Sequence, residues 1–426
     1  MKKQAWVITV SMGYGHQRTA FPLKSLAVEK KIINANDYED IPAKDKRIWE
    51  TARRGYEFIS AFKRTPIIGK IAFAIFDYTQ KIFNFYPKRN LSKPSFQLKQ
   101  NILQIKGGNW GKHLIETLRL RSGRKPLPII ATFFTPAFMA ETFHYPGQVY
   151  CVVCDTDASR TWAPLHPKTS KIKYFAPTPR VVERLKSYGV NPKNVFLTGY
   201  PLPEENIGSK KMEILKSDLK NRLVNLDSQK SHFKNYKELI NSKLGRLPQK
   251  SSHPFTLMFA VGGAGAQKDL GLKIVKNLAR EIKTGKIKII LVAGIKTKIK
   301  DYFLENTKGL GSAVEILFDE TIEGYFKKFN QALRRSDVLW TKPSELSFYA
   351  ALGIPIIIAP PIGSQEDFNQ RWLLNSGFGL LQKDVRYVKE WLFDWRDQGF
   401  LAECAMQGFM EGEKMGTFNI KKICFG

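Results

Sequence analysis

The sequence is poor in cysteine, in acidic residues and in long apolar runs. Its 426 residues include 4 cysteines, too few for the disulfide framework of a secreted domain, which favours a reducing cytoplasm. No run reaches the roughly 20 apolar residues that a transmembrane helix needs. The apolar run after Lys3 has about six residues, fewer than the core of a signal peptide. We therefore expect a cytoplasmic protein without a membrane-spanning segment.

The shortage of acids leaves a large positive charge. The chain carries 68 Lys and Arg against 38 Asp and Glu, a formal net charge of +30. This excess indicates a polyanionic neighbour, either nucleic acid or an anionic membrane surface, and the total charge does not distinguish the two. The excess is concentrated in residues 46–125, here called the basic arm, where eighteen basic and four acidic side chains alternate with aromatic ones.

One part of the basic arm has the spacing of an amphipathic helix. Residues 65–85 repeat apolar side chains at roughly helical intervals, among them Ile67, Ile71 and Ile75. Charged residues such as Lys70 prevent this segment from spanning a bilayer. It could lie in a membrane interface, or its apolar face could pack on its own domain.

Residues 338–379 show a clear pattern of strands, a helix and polar loops. Apolar runs bounded by Gly and Pro predict strands at 338–341 and 354–359, with a helix at 344–352 between them. Polar groups follow each strand, at 342–345 and at 365–369. Because ligands bind beyond the carboxyl ends of parallel strands, we expect these two groups to meet at a binding site.

Glycine-rich loops follow the first predicted strand of each half of the chain. The first loop contains Ser11, Gly13, Gly15 and His16, and the second has the sequence VGGAGAQ at 261–267. Such loops let backbone N–H groups approach an anion at a helix N-terminus. A plain strand-to-helix turn explains either loop alone, but the matching positions favour binding.

Alternating strands and helices predict two doubly wound α/β domains that face each other across a cleft. We expect an N-terminal domain at 1–203, a Lys-, Ser- and Asn-rich linker at 204–252, and a C-terminal domain at 253–426 whose tail packs back on the junction. Cys151 and Cys154 fall within one predicted strand and are expected to be buried small hydrophobic residues.

Several motifs resemble a known enzyme family. They are Ser11-x-Gly13-x-Gly15-His16, the Asp155-Thr156-Asp157 run, Gly199-x-Pro201, Thr341-Lys342, Gly353-Ile354-Pro355 and Gln365-Glu366-x-x-Asn369. Together they resemble the monogalactosyldiacylglycerol synthases, which share glycosyltransferase family 28 and the two-domain GT-B fold with the bacterial lipid I N-acetylglucosaminyltransferases. The resemblance covers most of the chain in order.

This resemblance implies a hexosyltransferase that moves a sugar from a nucleotide diphosphate sugar, expected to be a UDP-sugar, to a lipid or membrane-associated acceptor. It implies a peripheral protein on the inner face of the cell membrane that needs no cofactor and no metal. The donor would be bound by Gly262, Gly263, Gly265, Lys342, Ser344, Glu345, Gln365, Glu366 and Asn369. The acceptor would meet a loop containing Ser11, Gly13 and Gly15, with catalytic roles for His16, Asp155 and Asp157.

The sequence departs from the family at one position. The family's ribose-binding Glu stands seven residues before the strand-entry Pro355, a place that Phe348 holds here. Glu345 is the nearby carboxylate. Two other functions therefore stay open, a basic nucleic-acid-binding protein and a non-catalytic sugar-nucleotide binder. The basic and aromatic residues form no known nucleic-acid-binding module, which disfavours the first. The sequence leaves the sugar, the acceptor and the oligomeric state undetermined.

Overall fold

The computed structural model describes residues 3–62, 82–260, 265, 267–361 and 364–426. Its contacts divide the chain into two compact units. The first comprises Met1–Pro201, Ile362–Phe368 and Met415–Gly426, and the second comprises Leu202–Pro361 and Asn369–Lys414. Most of residues 65–85, predicted as an amphipathic helix, lie outside the described residues, as do Gly262 and Gly263.

The first unit is built on six parallel strands in the order β2-β1-β3-β4-β5-β6. They are β1 (Trp6–Thr9), β2 (Ile33–Asn34), β3 (Ile129–Ala131), β4 (Val149–Val152), β5 (Lys173–Ala176) and β6 (Val195–Leu197). In β1, β3 and β4 every residue is buried, because helices cover both faces of a parallel sheet and each face must be apolar. Cys151 and Cys154 are buried, as predicted, and neither forms a disulfide.

Helices surround this sheet. They are α1 (Tyr14–Ala20), α2 (Ala43–Phe62), α3 (Phe96–Gly108), α4 (Lys112–Ser122), α5 (Phe134–Thr142) and α6 (Pro179–Ser187), with 3-10 helices at Phe21–Leu26, Val28–Lys30, Arg160–Trp162 and Pro192–Asn194, and a last helix at Gly416–Phe425. The first helix begins at Tyr14 and changes into a tighter 3-10 helix at Phe21. Pro22 explains the change, since it has no N–H with which to continue an α-helix.

The second unit has six parallel strands in the order β12-β11-β10-β7-β8-β9. They are β7 (Thr256–Ala260), β8 (Lys288–Gly294), β9 (Val314–Phe318), β10 (Val338–Thr341), β11 (Ile356–Ile358) and β12 (Gly379–Leu381). Counted from β7, this is the order third, second, first, fourth, fifth, sixth of a dinucleotide-binding Rossmann sheet. Trp340 in β10 is fully buried and packs against Phe259 of the neighbouring β7.

The helices that follow in the chain are α7 (Glu204–Ile207), α8 (Glu213–Leu226), α9 (Ser231–Leu244), α10 (Lys268–Asn277), α11 (Ala279–Lys283), α12 (Thr297–Asn306), α13 (Ile322–Arg334), α14 (Ser364–Asn375), α15 (Val388–Asp397) and α16 (Phe400–Glu411), with 3-10 helices at Gly311–Ala313, Glu345–Leu352 and Val385–Tyr387. The stretch between β10 and β11, predicted as a helix, is thus of the tighter 3-10 kind.

Residues 204–252, which we predict as helical and loop linker material, pack as part of the second unit. The segment is largely helical. Leu219 and Leu226 of α8 are fully buried, and the buried Arg222 guanidinium donates to the carbonyl oxygens of Ser336, Leu352 and Gly353 at 2.9 Å each. A segment held in this way is part of a domain core, although its Lys-rich surface has the composition of a linker.

The prediction of two doubly wound α/β domains is confirmed by the two parallel sheets and their strand orders. The cleft between them stays a prediction. Among the described residues, no helix combines the length and the apolar character needed to cross a bilayer.

Candidate functional site

The strand order locates the candidate site in each sheet. Ligands bind α/β sheets where the chain reverses its direction of winding, beyond the carboxyl ends of two adjacent strands. In the first sheet this switch point lies between β1 and β3, and in the second it lies between β7 and β10. The first pair of strands leads to the loops at 10–13 and 132–133, and the second leads to those at 261–267 and 342–345.

His16 is the central side chain at the switch point of the first sheet. The loop before it turns at Gly13, whose φ of 101° favours glycine, and α1 then places His16 in its first turn. The His16 Nδ1 atom lies 3.0 Å from the carbonyl oxygen of Thr132 and 3.3 Å from Cys154 Sγ. The Thr132 hydroxyl donates in turn to the His16 carbonyl oxygen at 2.9 Å. Contacts from two neighbouring strand ends thus fix the ring.

These contacts also select a tautomer of His16. A carbonyl oxygen only accepts hydrogen bonds, so the contact with Thr132 requires the proton on Nδ1. In the neutral ring the lone pair is then on Nε2. Phe133 and Trp162 flank the imidazole, with ring centroids 4.6 Å and 6.3 Å from it. A histidine oriented by a carbonyl and bordered by aromatic rings has the arrangement of a general base.

Ser11 is held by amide side chains in the same loop. Its Oγ accepts from Asn34 Nδ2 at 2.6 Å and from Gln17 Nε2 at 3.1 Å. Its backbone N–H donates to Asn36 Oδ1 at 2.8 Å. This network fixes the loop predicted to meet the acceptor. It was not predicted from the sequence, because two of its three amides, Asn34 and Asn36, come from β2 and the loop after it.

The two predicted catalytic aspartates have different surroundings. Asp155 is half-buried, and its Oδ2 lies 3.9 Å from Cys154 Sγ, next to the His16 contact. Asp157 is buried, and both its oxygens accept from Arg184, Oδ1 from Nε at 2.8 Å and Oδ2 from Nη2 at 2.7 Å. A carboxylate locked in a bidentate ion pair is disfavoured as a proton acceptor. The geometry therefore favours Asp155 over Asp157, whose catalytic role stays a prediction.

In the second unit, hydrogen bonds join the loops that were predicted to bind the donor. Asn369 of α14 is buried and its Nδ2 donates to the carbonyl oxygen of Pro343 at 3.4 Å. Gln267, which precedes α10, donates through Nε2 to the Pro360 carbonyl oxygen at 3.1 Å. The loops after β7, β10 and β11 are therefore connected, as the strand order requires. Lys342, Ser344 and Glu345 on the middle loop are half-buried. Gln365 and Glu366, in the first turn of α14, are also half-buried and belong by their contacts to the first unit.

The described part of the second glycine-rich loop has a conformation that favours glycine. Gly265 has a φ of +68°, and a Cβ atom there would lie 2.3 Å from Ile299 Cδ1. The left-handed backbone angle favours glycine, and a side chain at this position would also have to displace the end of the Ile299 side chain. The loop leads into α10, whose N-terminus can bind an anion through its first N–H groups.

Phe348 has a structural role at the position of the family's ribose-binding Glu. It is buried, and its ring centroid lies 5.4 Å from that of Trp372 in α14. The 3-10 helix that carries it begins at Glu345, which is half-buried. The role of Glu345 as a ribose ligand stays a prediction.

Residues near the site that sequence patterns did not assign to it are Thr132 and Cys154. Each lies just beyond the carboxyl end of a strand or in the loop that follows it. The strand order is the signal that identifies them, because it shows which strand ends are neighbours. In the part of the chain that the structure describes, no group of three or more His, Cys, Asp or Glu is arranged to hold a metal ion.

The chain is similar over most of its length to curated lipid glycosyltransferases. It is 24% identical over 392 residues to the processive diacylglycerol beta-glucosyltransferase of Bacillus subtilis, covering 89% of this chain and 83% of that protein. It is 23% identical over 394 residues to the enzyme of the same name from Bacillus licheniformis, with the same coverage. The chain resembles the diacylglycerol glycosyltransferases. This is the resemblance that its motifs predicted.

Two further comparisons give less specific results. Residues 231–330 match a family described as a domain of unknown function, DUF6938. Among solved structures, the chain is similar to MurG of Acinetobacter baumannii, with a TM-score of 0.45, 11% identity, and coverage of 84% of this chain and 89% of that one. It is also similar to the MnaA–UDP complex of S. aureus, with a TM-score of 0.46, 15% identity, and coverage of 79% and 81%.

Proposed function

We propose that this protein is a glycosyltransferase that moves a sugar from a UDP-sugar to a lipid acceptor at a membrane surface. The alignment with the Bacillus diacylglycerol glucosyltransferases supports this most strongly, since it covers 89% of this chain and 83% of the B. subtilis enzyme. The polar loops at the switch points of both sheets provide the groups that such a reaction needs.

The donor would be bound beyond the carboxyl ends of β7, β10 and β11. The N-terminus of α10 and the first turn of the 3-10 helix at Glu345–Leu352 follow neighbouring strands, β7 and β10. The N–H groups at these two helix starts would stabilise the charge that develops on the departing diphosphate. Lys342 would add a positive charge, and Gln365 and Glu366 would hydrogen-bond the sugar hydroxyls. We propose that the reaction proceeds without a metal or a cofactor.

The first unit would activate the acceptor. His16 Nε2 would take the proton of the acceptor hydroxyl as its oxygen forms a bond to the anomeric carbon of the sugar. The bond from that carbon to the diphosphate oxygen would break, and UDP would leave with the electron pair. Because Thr132 holds the opposite nitrogen at 3.0 Å, the ring would need no reorientation before it accepts the proton.

The charge of the chain fits an acceptor held in a membrane. A formal charge of +30 would attract the protein to anionic lipid headgroups, each nearby cation contributing about 1 kcal/mol. We propose a cytoplasmic protein that binds peripherally to the inner face of the cell membrane, with the basic arm at residues 46–125 contributing to this contact.

Calorimetry with UDP, UDP-glucose, UDP-galactose and UDP-N-acetylglucosamine tests the donor, followed by an assay of UDP release with and without diacylglycerol vesicles. We expect saturable binding of at least one UDP-sugar and lipid-dependent release of UDP. Binding without sugar transfer would indicate a non-catalytic binder. Absence of binding to all four compounds would contradict the proposal.

A further inference from the structure

A cavity lies in the first unit, apart from the loops assigned to donor and acceptor. Its volume is about 360 Å³, and its lining includes Phe85, Lys88 and Arg89 on one side and Arg184 and Lys186 of α6 on the other. Backbone contact holds the two sides together, since the Leu91 N–H donates to the Ser187 carbonyl oxygen at 3.0 Å. A cavity of this size admits a small organic ligand as well as an ion.

The lining is strongly cationic. Its one carboxylate, Glu183, already forms an ion pair with Lys186 at 2.8 Å. Neither Lys88 nor Arg89 forms an ion pair within the described residues. The lining thus carries four basic side chains against one carboxylate, and like charges held together favour an anionic ligand.

The buried guanidinium of Arg184 supplies a second, independent indication. Its side chain is 0% exposed, and its Nε and Nη2 atoms donate to Asp157. Its Nη1 atom is buried and has no hydrogen-bond partner among the described residues. A buried donor without an acceptor is costly, and an anion in the cavity that Arg184 lines would satisfy it.

The aromatic ring of Phe85 distinguishes this cavity from a surface that is only cationic. The Arg180 guanidinium carbon lies 3.9 Å from the Phe85 ring centroid, and that of Arg184 lies 5.3 Å away. Arginine over an aromatic face is partly desolvated and held in a fixed orientation. The cavity therefore offers an apolar wall beside oriented guanidinium groups, which suits an anion that is attached to a carbon skeleton.

We propose that this cavity is a binding site for a phosphate ester, separate from the donor and acceptor sites and beyond the proposed transferase function. Phosphate has several acceptor oxygens, and Arg184, Arg89 and Lys88 would bind them by charge-assisted hydrogen bonds. The same chemistry is available from a phospholipid headgroup and from a soluble phosphate ester.

The test uses the full chain with Lys88→Ala/Arg89→Ala, variants of two exposed residues that leave the Arg184–Asp157 pair intact. The matched control is Lys283→Ala/Lys286→Ala, which removes the same charge from an exposed part of the second unit. Equal thermal unfolding midpoints establish that both variants fold. Binding of glycerol 1-phosphate is measured by calorimetry, with glycerol as the uncharged comparison. Binding to phosphatidylcholine vesicles with and without phosphatidylglycerol is measured by co-sedimentation at one ionic strength.

We expect the Lys88/Arg89 variant to lose about tenfold in affinity for a phosphate-bearing ligand, and the control to lose much less. A selective loss with glycerol 1-phosphate assigns the site to soluble esters, and a selective loss with phosphatidylglycerol vesicles alone assigns it to a lipid headgroup. The proposal is overturned by equal losses in the two variants, or if the unmodified protein binds neither ligand. Each readout is a binding measurement, so failure here leaves the proposed sugar transfer unaffected, whereas a lack of vesicle binding would also count against the proposed membrane contact of the basic arm.

Discussion

Removing the Asp157 carboxylate is predicted to destabilise the first unit strongly. The Asp157→Ala change leaves the Arg184 guanidinium, which is 0% exposed, without its anionic partner. Both hydrogen bonds of the pair, at 2.7 Å and 2.8 Å, are lost together. Because the charge stays buried and becomes uncompensated, the expected cost is about 3–5 kcal/mol.

That cost is measurable as a shift in unfolding temperature. For a unit of this size, each kcal/mol lowers the midpoint by about 2–4 °C, so a decrease of roughly 6–20 °C is expected. The matched control is Glu183→Ala, which removes the partner of Lys186 from an exposed ion pair on the same helix. An exposed pair of this kind contributes at most about 1 kcal/mol, so the control should melt close to the unmodified protein.

Calorimetric scans of both variants test this reasoning, and a double-mutant cycle with Arg184→Met measures the coupling directly. The double variant should be more stable than the sum of the two single changes predicts, because it leaves no unpaired buried charge. If the unfolding free energies of Asp157→Ala and Glu183→Ala differ by less than about 1 kcal/mol, the buried ion pair does not stabilise the fold. Loss of turnover without loss of stability would instead restore Asp157 as a catalytic candidate.

Four further predictions follow from the site and the charge distribution. His16→Ala should lower turnover about 10²–10⁴-fold while UDP-sugar affinity persists, because a general base acts on the acceptor; equal loss of donor binding would assign it a structural role. Glu366→Ala should weaken donor binding by about 1–3 kcal/mol through loss of a buried hydrogen bond, and unchanged affinity and turnover with every UDP-sugar would refute the assignment. Binding to anionic vesicles should exceed binding to neutral ones and weaken with salt, whereas tight DNA or RNA binding without vesicle binding would favour a nucleic-acid function. Finally, the Arg335 guanidinium, which donates to Glu315 at 2.6 Å and 2.8 Å, lowers the pKa of Glu315. The pair should therefore stabilise the fold by about 1 kcal/mol or less above the unfolded pKa near 4.3 and lose that effect as the pH falls through the lower folded pKa. Glu315→Gln should accordingly differ from the unmodified protein in unfolding free energy at pH 7 and converge with it in acid.

Local patterns predicted central strands of the second sheet closely. The predicted strand at 338–341 coincides with β10, and the one predicted at 354–359 contains β11, whereas the short edge strands β2 and β12 were not predicted. A buried parallel strand must be apolar on both faces, and Gly or Pro often ends it. Its first and last residues can therefore be predicted from a few neighbouring residues. The positions of His16, Lys342 and Gln365 beyond strand ends follow from the same local information.

Contacts between distant residues could not be predicted in this way. His16 meets Thr132 across 116 residues, and Asp157 meets Arg184 across 27. The composition of residues 204–252 indicates a linker. In the structure, however, α8 carries buried residues, and its Arg222 donates to carbonyl oxygens more than 100 residues away. No local pattern encodes such partners.

The sequence by itself determined that the chain forms two parallel α/β units with polar, glycine-rich loops at their strand ends. The tertiary structure decided which of those loops are neighbours, which nitrogen of His16 carries the proton, and that Asp157 is held by Arg184. The physical reason is that secondary structure depends on side chains a few positions apart, whereas a site depends on strand order. Strand order is set by how the whole sheet buries its apolar faces.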